Sequence, residues 1–136
     1  MDLAARIEKS ETRQFKMVFP NTLNDHETLF GGTAMKWMDE VAYITATRFA
    51  RLKMVTISTD KIKFKHAIKP GTIAEIIGKV VNIGNFKLDI QVEIWVESMH
   101  GYDRLMAVDA VFTFAAINEQ GKLIPLTEKQ FIAALN

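Results

Sequence analysis

Two periodicities divide the chain and predict a mixed fold. Residues 33–51 are good helix formers with no proline among them, and their apolar side chains fall on every side of the predicted helix. From residue 55 onward, apolar and polar positions alternate with a period of two, which is typical of β-strands. The pattern therefore predicts one long helix, buried nearly all round, followed by a series of strands.

Five strands are predicted, one before the long helix and four after it. They cover residues 12–19, 55–68, 72–83, 86–97 and 104–117. The second of them changes parity near Thr59 and Asp60, which indicates a bulge. Because short turns such as Lys69-Pro70-Gly71 join the later strands, we expect consecutive strands to be antiparallel neighbours. A helical or loose segment over residues 1–10 and a short helix at about 127–135 complete the prediction.

These elements predict a single α+β domain over residues 1–136, with its core at about 12–117 and a curved antiparallel sheet around the central helix. Strands 72–83 and 104–117 are apolar on both faces, and Trp95 stands on the polar side of its strand. Because a monomer would leave such faces in water, we expect a homodimer formed by sheet extension as the smallest unit, and a tetramer or hexamer built from it.

Composition and charge narrow the class of protein. The 136 residues are 49% hydrophobic and 24% charged, as in ordinary globular chains. The net charge of +1 does not indicate a surface that binds nucleic acid. The chain has no cysteine, which excludes disulfides and thiol nucleophiles. It has no apolar signal core or membrane-length apolar run, so we expect a cytoplasmic protein without a membrane partner. His26, His66 and His100 lack metal-ligand spacing, so no metal is expected.

Asp39 is the first candidate for chemistry, because it is an acid in the middle of an otherwise apolar helix. A carboxylate that is partly removed from water can act as a general base or as a nucleophile. The alternative is a structural acid that is hydrogen-bonded to a loop or paired with a lysine at a subunit contact. Residue type alone leaves both interpretations open. We expect its neighbour Glu40 to be solvated or ion-paired.

Gly31 and Gly32 and the loop before them are the second candidate. Backbone N–H groups at a helix start carry the positive end of the helix dipole and can hold a carbonyl oxygen that gains negative charge. Alternatively, the glycines serve only to allow a tight entry turn. In the loop, Asn24 can orient a water molecule or hold a carbonyl, and His26 can act as a base. Both residue types are also common in exposed loops.

Several motifs taken together resemble one enzyme family. They are Pro20 followed four residues later by Asn24, Leu29-Phe30-Gly31-Gly32, Trp37-Met38-Asp39-Glu40, Val55-Thr56 leading to Phe64, and Asp109-Ala110-Val111-Phe112-Thr113-Phe114. Over residues 19–117 the pattern resembles the hotdog-fold acyl-CoA thioesterases, in particular the cytosolic acyl-CoA hydrolases. The resemblance implies a hotdog fold, in which an antiparallel sheet wraps one long helix.

The resemblance also implies an activity and a set of site residues. The activity is hydrolysis of a fatty acyl-CoA to the free acid and CoA, with no cofactor because CoA is part of the substrate. Asp39 matches the family's catalytic acid, and Asn24 matches a loop asparagine that works with the aspartate of the other subunit. Gly31 and Gly32 match a diglycine whose backbone amides face the thioester carbonyl.

The chain departs from the family after Gly84, where a basic or polar residue is usually followed by small hydroxyl residues near the CoA path. Asn85-Phe86-Lys87 stands there instead, so Lys87 and Asn85 are candidate contacts for the CoA moiety. A row of lysines, Lys61, Lys63 and Lys65, is another candidate for the phosphates, although such a row is often only a solvated face.

Two other functions remain as alternatives at this stage. One is a non-catalytic module of the same fold that binds or senses acyl-CoA. The other is a hotdog dehydratase, which would need a histidine near the helix, where only His26 is close. Asp109, in the middle of its strand, is expected to be a structural or interface acid rather than a second catalytic residue.

Overall fold

The computed structural model describes residues 2–126 and shows one six-stranded sheet wrapped around one long helix. The helices are α1 (Leu3–Ser10) and α2 (Gly31–Ala50), with a 3₁₀ turn at Pro20–Thr22. The strands are β1 (Thr12–Met17), β2 (Met54–Phe64), β3 (Thr72–Ile83), β4 (Lys87–Ser98), β5 (Arg104–Ile117) and β6 (Leu123–Ile124). The predicted α+β class is confirmed, and the helix predicted at about 127–135 lies outside the described residues. No helix between residues 2 and 126 combines the length and hydropathy that a membrane crossing requires.

The elements predicted within residues 2–126 are all found, with differences at their ends. Strands β3 and β5 have the predicted limits, whereas β1 and β2 end earlier, at Met17 and Phe64. The predicted bulge is confirmed, because the register between β2 and β5 shifts on either side of Thr59, between Thr56 and Ser58 and between Asp60 and Lys63. Segment 1–10 is helical from Leu3, where the Asp2 side chain accepts the N–H of Ala5 at 2.8 Å.

The order of the strands corrects the prediction that all consecutive strands are neighbours. The sheet runs β1-β3-β4-β5-β2, so β2 pairs with β5 and not with β3. The seven residues between β2 and β3, which include Lys69-Pro70-Gly71, therefore form a crossover and not a hairpin. Seven extended residues reach about 24 Å, whereas three strand spacings amount to only about 14 Å. A turn-rich link of this length can thus join the two strands across the end of the curled sheet.

Helix α2 packs on the sheet with one face only. Its buried side chains recur at intervals of three and four residues: Ala34, Trp37, Met38, Val41, Ala42, Thr45, Ala46, Phe49 and Ala50. They meet the inward side chains of the sheet, among them Leu88, Ile90, Val92 and Ile94 of β4. The predicted burial nearly all round is wrong for a single protomer, because the opposite face of the helix, with Asp39, Glu40 and Tyr43, is exposed.

Strand β3 approaches α2 closely at Gly78. A Cβ added there would lie 2.5 Å from Thr45 Oγ1 and 3.0 Å from Val41 Cγ1, so a larger residue would force the helix away. The buried Thr45 hydroxyl donates to the Val41 carbonyl at 2.8 Å. This close contact belongs to the buried face of α2, and Asp39 lies on the opposite, exposed face.

The C-terminal end of α2 is held by α1. The buried Arg6 guanidinium donates to the Phe49 carbonyl and lies 5.3 Å from the centroid of the Phe49 ring. Burial lowers the pKa of Arg6, and the nearby charge of Arg51 lowers it further, yet an arginine remains charged at neutral pH. Arg51 ends the helix with a φ of 54°, in the left-handed region.

The outer face of the sheet carries a polar cluster. Glu75 is buried and accepts hydrogen bonds from Arg104 at 2.5 Å and Arg13 at 3.4 Å, and Arg104 lies 5.2 Å from the centroid of the half-buried Trp95. The predicted cover on both faces of β3 and β5 is not provided within one protomer, since Val81 on β3 is exposed. Residues 2–126 therefore leave part of this outer face open to solvent.

Candidate active site

Asp39 lies on the exposed face of α2, beside the edge strand β2. The Thr56 hydroxyl of β2 donates a long hydrogen bond to Asp39 Oδ1 at 3.4 Å, so the carboxylate lies next to the sheet edge. The desolvated environment predicted for Asp39 is therefore not supplied by residues 2–126 of its own protomer. Among residues 2–126 no lysine forms an ion pair with Asp39, and the alternative of a lysine partner at a subunit contact stays a prediction.

An exposed apolar surface surrounds this position, and we call it the α2–β2 face. Tyr43, one helical turn after Asp39, is 45% exposed, and Ile57, next to Thr56, is also 45% exposed. Ile62 and Phe64 continue the exposed apolar surface along β2. Within the described part of the chain, β2 has a strand on one side only, so its other edge is open. Apolar surface beside an open edge is typical of a protein–protein contact.

Gly31 and Gly32 form the first two positions of α2, and both are exposed. The leading N–H groups of a helix have no acceptor within the helix, and between residues 2 and 126 no side chain caps them at Phe30. Neither glycine has a positive φ, and an added Cβ would meet only the Phe64 ring, at 3.7 Å from Gly31. The alternative of a turn that requires glycine is therefore wrong. The two residues leave the backbone open to close approach from outside.

The distance along α2 separates these amides from Asp39. At 1.5 Å per residue, Gly32 and Asp39 lie about 11 Å apart along the helix axis. A general base must lie within hydrogen-bond reach of the reacting group, directly or through one water. One protomer therefore does not bring its own glycine amides and its own Asp39 together around a single carbonyl.

Asn24 organises the loop that precedes the glycines. Its Oδ1 accepts three hydrogen bonds, from the backbone N–H of His26 at 2.9 Å and from the N–H and hydroxyl of Thr28, both at 3.1 Å. Backbone amides can only donate, so the atom that they meet must be the oxygen of Asn24. The side-chain NH₂ of Asn24 then points away from these loop contacts. His26 is exposed, with Nε2 3.7 Å from Asp25 Oδ1.

A cavity of about 300 Å³ opens directly beneath Gly31. Four buried aliphatic side chains form its floor: Leu29, Ala34, Ile68 and Val108. Phe64, Lys65 and His66 stand at its rim, and Lys65 Nζ lies 3.6 Å from Asp109 Oδ2. The start of α2 thus combines open backbone donors with a cavity that has an aliphatic floor and the polar side chains of Lys65 and His66 at its rim.

Asn85 and Lys87 lie at the other end of the sheet. Lys87 pairs with Ala115, whereas Phe64, which contacts Gly31, pairs with Val108. Seven residues of β5 separate the two rows, which corresponds to about 23 Å. The structure therefore does not bring these two candidates to Gly31 within one protomer, whereas Lys65 is there.

The sequence reasoning did not select Thr56 as a site residue, although it named Val55-Thr56 as a motif. Its signal was weak, because a threonine on a strand is common and its relation to Asp39 depends on how β2 sits beside α2. Thr56 could be recognised as a neighbour of Asp39 only once β2 was known to pair with β5 rather than with β3.

Comparison with known sequences identifies the family. The sequence model of the thioesterase superfamily matches residues 26–101. The cytosolic acyl coenzyme A thioester hydrolase of Rattus norvegicus is 31% identical over 121 residues, which cover 88% of this chain. That match covers 32% of the rat protein, so this chain spans about a third of its length. An acyl-CoA thioester hydrolase of Bacillus subtilis, described as uncharacterized, is 30% identical over 118 residues, or 87% of this chain and 69% of that protein.

Solved structures agree with the sequence matches. An acyl-CoA hydrolase of Staphylococcus aureus, solved in complex with butyryl coenzyme A, coenzyme A and coenzyme A disulfide, is similar with a TM-score of 0.83 and 33% identity. The match covers 88% of this chain and 73% of that one. A hexameric thioesterase of Yersinia pestis has a TM-score of 0.77 and 27% identity, over 85% of this chain and 93% of that one. With the central helix and curled sheet already described, these matches establish that the chain has the hotdog fold and belongs to the thioesterase superfamily.

Proposed function

We propose that this chain hydrolyses acyl-CoA thioesters as a dimer and that each active site is built from two protomers. The observation that carries the proposal is the exposed carboxylate of Asp39 on the α2–β2 face, beside the exposed apolar side chains of Tyr43 and Ile57. A partner seated on this face would remove Asp39 from water and so supply the desolvation that makes a carboxylate a better base. The relatives named as acyl-CoA thioester hydrolases support the choice of substrate class.

A two-fold contact between α2–β2 faces explains how the parts of the site meet. In a two-fold interface the same surface is used twice, and elements that lie perpendicular to the two-fold axis run in opposite directions, which is the arrangement proposed for α2. The start of α2 in one protomer then approaches the middle of α2 in the other. Asp39 would work with the Gly31 and Gly32 amides and with Asn24 of the partner subunit, which removes the separation of about 11 Å within one chain.

The chemistry follows from these positions. Asp39 takes a proton from a water molecule as the water oxygen attacks the thioester carbonyl carbon, and the glycine amides hold the oxygen that becomes negative. The carbon–sulfur bond then breaks, and the CoA thiolate takes the proton from Asp39, which leaves a free carboxylic acid and CoA. Alternatively, Asp39 itself attacks the carbonyl, the CoA thiolate leaves, and water hydrolyses the resulting anhydride.

The hydrogen bonds of Asn24 and Thr56 assign them different tasks. Because the Asn24 oxygen already accepts three hydrogen bonds, its NH₂ group is the part that can meet substrate, and it would donate to the thioester carbonyl. Thr56 donates to Asp39 Oδ1 and leaves Oδ2 for water. Asn24 would therefore hold the substrate, and Thr56 would orient the acid.

The spacing of three substituted residues in the similar S. aureus hydrolase supports the assignment of Asn24, Asp39 and Thr56 to the site. Three further structures of the S. aureus hydrolase carry alanine in place of an asparagine, an aspartate or a threonine. Those positions are separated by 15 and 17 residues, and Asn24, Asp39 and Thr56 have the same separations here. The agreement supports assigning all three to the site.

Assembly and location belong to the same proposal. The homodimer is the smallest active unit, and the hexameric thioesterase of Y. pestis supports an assembly of three such dimers. The rat relative is named as cytosolic, which supports a cytoplasmic location. No cofactor is proposed, because water and the acyl-CoA are the only reactants that the hydrolysis needs.

Subunit mixing tests the shared site directly. Asp39→Asn and Asn24→Asp should each abolish thiol release from acyl-CoA, and Asn24→Asp keeps the oxygen that organises the loop while it removes the NH₂ donor. When the two inactive variants are mixed under conditions that exchange subunits, half of the dimers hold one wild-type site, so about a quarter of wild-type activity should return. No recovery despite proven exchange would exclude a site shared in this way. Saturable acyl-CoA binding without any thiol release from the wild-type protein would favour a sensing module instead.

A further inference from the structure

We infer that the outer face of strands β1, β3 and β4 joins two dimers by packing against the same face of a second copy of this chain, the facing copy. The inference rests on the dimer of the proposed function and adds the contact from which a larger assembly is built. Three observations support it: the order of the side chains on this face, the unused charge of two of them, and a hollow between them.

One row of side chains crosses the three strands at Ile77. Arg13 of β1 pairs with Ile77 of β3, and Ile77 pairs with Glu93 of β4. Ile77 points away from the core, because its neighbours Ile76 and Gly78 lie on the buried face. Directly paired residues point to the same face of a sheet, so a cation and an acid flank Ile77, each one strand spacing of about 4.8 Å away.

A second row lies two residues further along the strands. Phe15 of β1 pairs with Glu75 of β3, and Glu75 pairs with Trp95 of β4. Phe15 is 63% exposed, whereas Trp95 is partly buried. Glu75 is buried and accepts hydrogen bonds from Arg104 and Arg13, so its charge is already balanced within the protomer. The row therefore has an aromatic side chain on each side of a neutralised centre.

The two rows are complementary to themselves about a two-fold axis that runs along β3, between two facing sheets. Such an axis exchanges the two sides of β3, so a residue on β1 faces the residue of its own row on β4 of the facing copy. Arg13 then faces Glu93 of the facing copy, Phe15 faces Trp95 of the facing copy, and Ile77 packs on its own equivalent. Packed sheets cross at about 30°, which displaces these side chains by only about 2–3 Å.

Arg13 and Glu93 can both form this additional ion pair. Trp95 Nε1 donates to Glu93 Oε1 at 3.1 Å, and within residues 2–126 Glu93 has no cationic partner. The Arg13 side chain is 49% exposed, and its contacts with Glu75 at 3.4 Å and Glu11 at 3.6 Å are long. Since a guanidinium has five N–H donors, Arg13 can keep these contacts and still donate to an acid above it. Opposite charges that meet in this way fix the register of an interface.

A hollow of about 300 Å³ lies on the same face, between the positions that the two rows occupy. Its walls include Ile77, Glu93 and Trp95, and the exposed Phe15 stands outside it. The two-fold axis brings Phe15 of the facing copy over Trp95, so each copy inserts a phenyl ring into the hollow of the other. A foreign partner would not require this face to match its own rotated image. The order of the side chains therefore favours a second copy as the occupant.

Two different two-fold contacts on one chain generate a closed assembly. The α2–β2 face builds the dimer, and the outer face joins one dimer to the next, so the assembly closes with dihedral symmetry. The angle between the two axes decides whether two or three dimers close it. The hexameric thioesterase of Y. pestis supports three.

Truncation of Phe15 tests the contact. The wild-type protein should sediment as a species larger than a dimer, and Phe15→Ser should raise the dissociation constant between dimers about a hundredfold, because the symmetric contact uses the ring twice. Val81→Ser is the control, since Val81 is another exposed apolar residue of β3 but lies about 13 Å from Ile77 along the strand. It should change the dissociation constant less than about threefold. A wild-type protein that is only a dimer, or equal dissociation of the two variants, would overturn the inference.

Reversal of the two charges tests the register of the contact. Arg13→Glu and Glu93→Arg each place like charges opposite one another and should each yield dimers, whereas the double variant restores opposite charges and should assemble again. Failure of the folded double variant to assemble would overturn the proposed two-fold register. Phe15→Ser keeps the test decisive if a charge variant folds poorly, because Phe15 is exposed in the protomer.

The same experiments separate this inference from the proposed function. Each proposed active site lies within one dimer, so the dimers released by Phe15→Ser should keep the wild-type kcat per site. If the wild-type protein released no thiol from any acyl-CoA, the proposed function would fail, while the sedimentation results would still decide whether the outer face joins dimers.

Discussion

The two faces of α2 are both rich in apolar residues, yet they have different surroundings. On the inner face, Gly78 lets β3 approach so closely that Thr45 and Val41 fill the space that a side chain would need. On the outer face, Asp39 and Tyr43 are exposed beside the open edge of β2. The inner face is packed against the sheet of the same chain, whereas residues 2–126 leave the apolar side chains of the outer face exposed.

The difference explains why the helix looks buried on every side in the sequence. Hydrophobic periodicity reports that a residue avoids water, but it does not report whether its own chain or another copy provides the cover. The apolar residues of α2 that do not face the sheet, such as Tyr43, lie on the exposed face, and so does the acid Asp39. The following substitutions separate the two faces, and they are ordered from the largest expected effect to the smallest.

Asp39→Asn should affect the outer face most strongly. Loss of the carboxylate removes the proposed base or nucleophile, so kcat for acyl-CoA hydrolysis should fall about a thousandfold or more. Thermal unfolding and the oligomeric state should stay unchanged, because Asp39 is exposed and makes only the long contact with Thr56. Glu40→Gln, a neighbouring exposed acid on the same helix, is the control, and it should retain near wild-type kcat. Near-normal turnover in Asp39→Asn would refute the assignment.

A pair of glycine substitutions should separate stability from activity. Gly78→Ala should lower the free energy of unfolding by about 2–3 kcal/mol, because the new Cβ would sit 2.5 Å from Thr45 Oγ1. Gly32→Ala should not destabilise the fold, because among the described residues nothing lies within 4 Å of its added Cβ. It should nevertheless lower kcat/KM about tenfold by obstructing the approach to the amide.

Denaturant unfolding at equal protomer concentration and thiol release measure the two effects of this pair. If Gly32→Ala unfolds as easily as Gly78→Ala, the diglycine is required by the fold. That result would remove the main reason for assigning it to substrate binding.

Arg51→Gly should have the smallest effect and should be stabilising. Arg51 holds a φ of 54° at the end of α2, which costs a non-glycine residue about 1 kcal/mol. Its charge also lowers the pKa of Arg6, which indicates a repulsion that glycine would remove. An increase in the free energy of unfolding of this size, with unchanged kcat, is expected, whereas a decrease would mean that the Arg51 side chain makes a stabilising contact.

Local sequence pattern was sufficient for the elements but not for their order. The limits of β3 and β5 and the bulge near Thr59 follow from alternation, which depends on neighbouring residues. The pairing of β2 with β5 depends on a contact between residues about fifty positions apart, and the turn formers between β2 and β3 are equally compatible with a hairpin and a crossover. Strand order was therefore the part of the fold that the pattern could not determine.

The candidate site shows the same limit. Asn24, the glycines and Asp39 could be selected because their types and spacing carry chemical meaning, and Asn24 proved to have an organised hydrogen-bonded oxygen. The relation of Thr56 to Asp39 required the three-dimensional arrangement. So did the cavity, whose floor combines Leu29, Ala34, Ile68 and Val108 from four separate segments.

The irregular shape of β2 has a consequence for the protein before it assembles. A newly folded protomer exposes an open strand edge next to Ile57, Ile62 and Phe64, which is a recognised route to aggregation. Two register shifts, the left-handed Lys61 and the lysines beside it interrupt that edge, so a straight foreign strand cannot pair along its whole length. The irregularities of β2 thus make its open edge a poor template for a regular foreign strand, and they offset the risk that its exposed apolar side chains create.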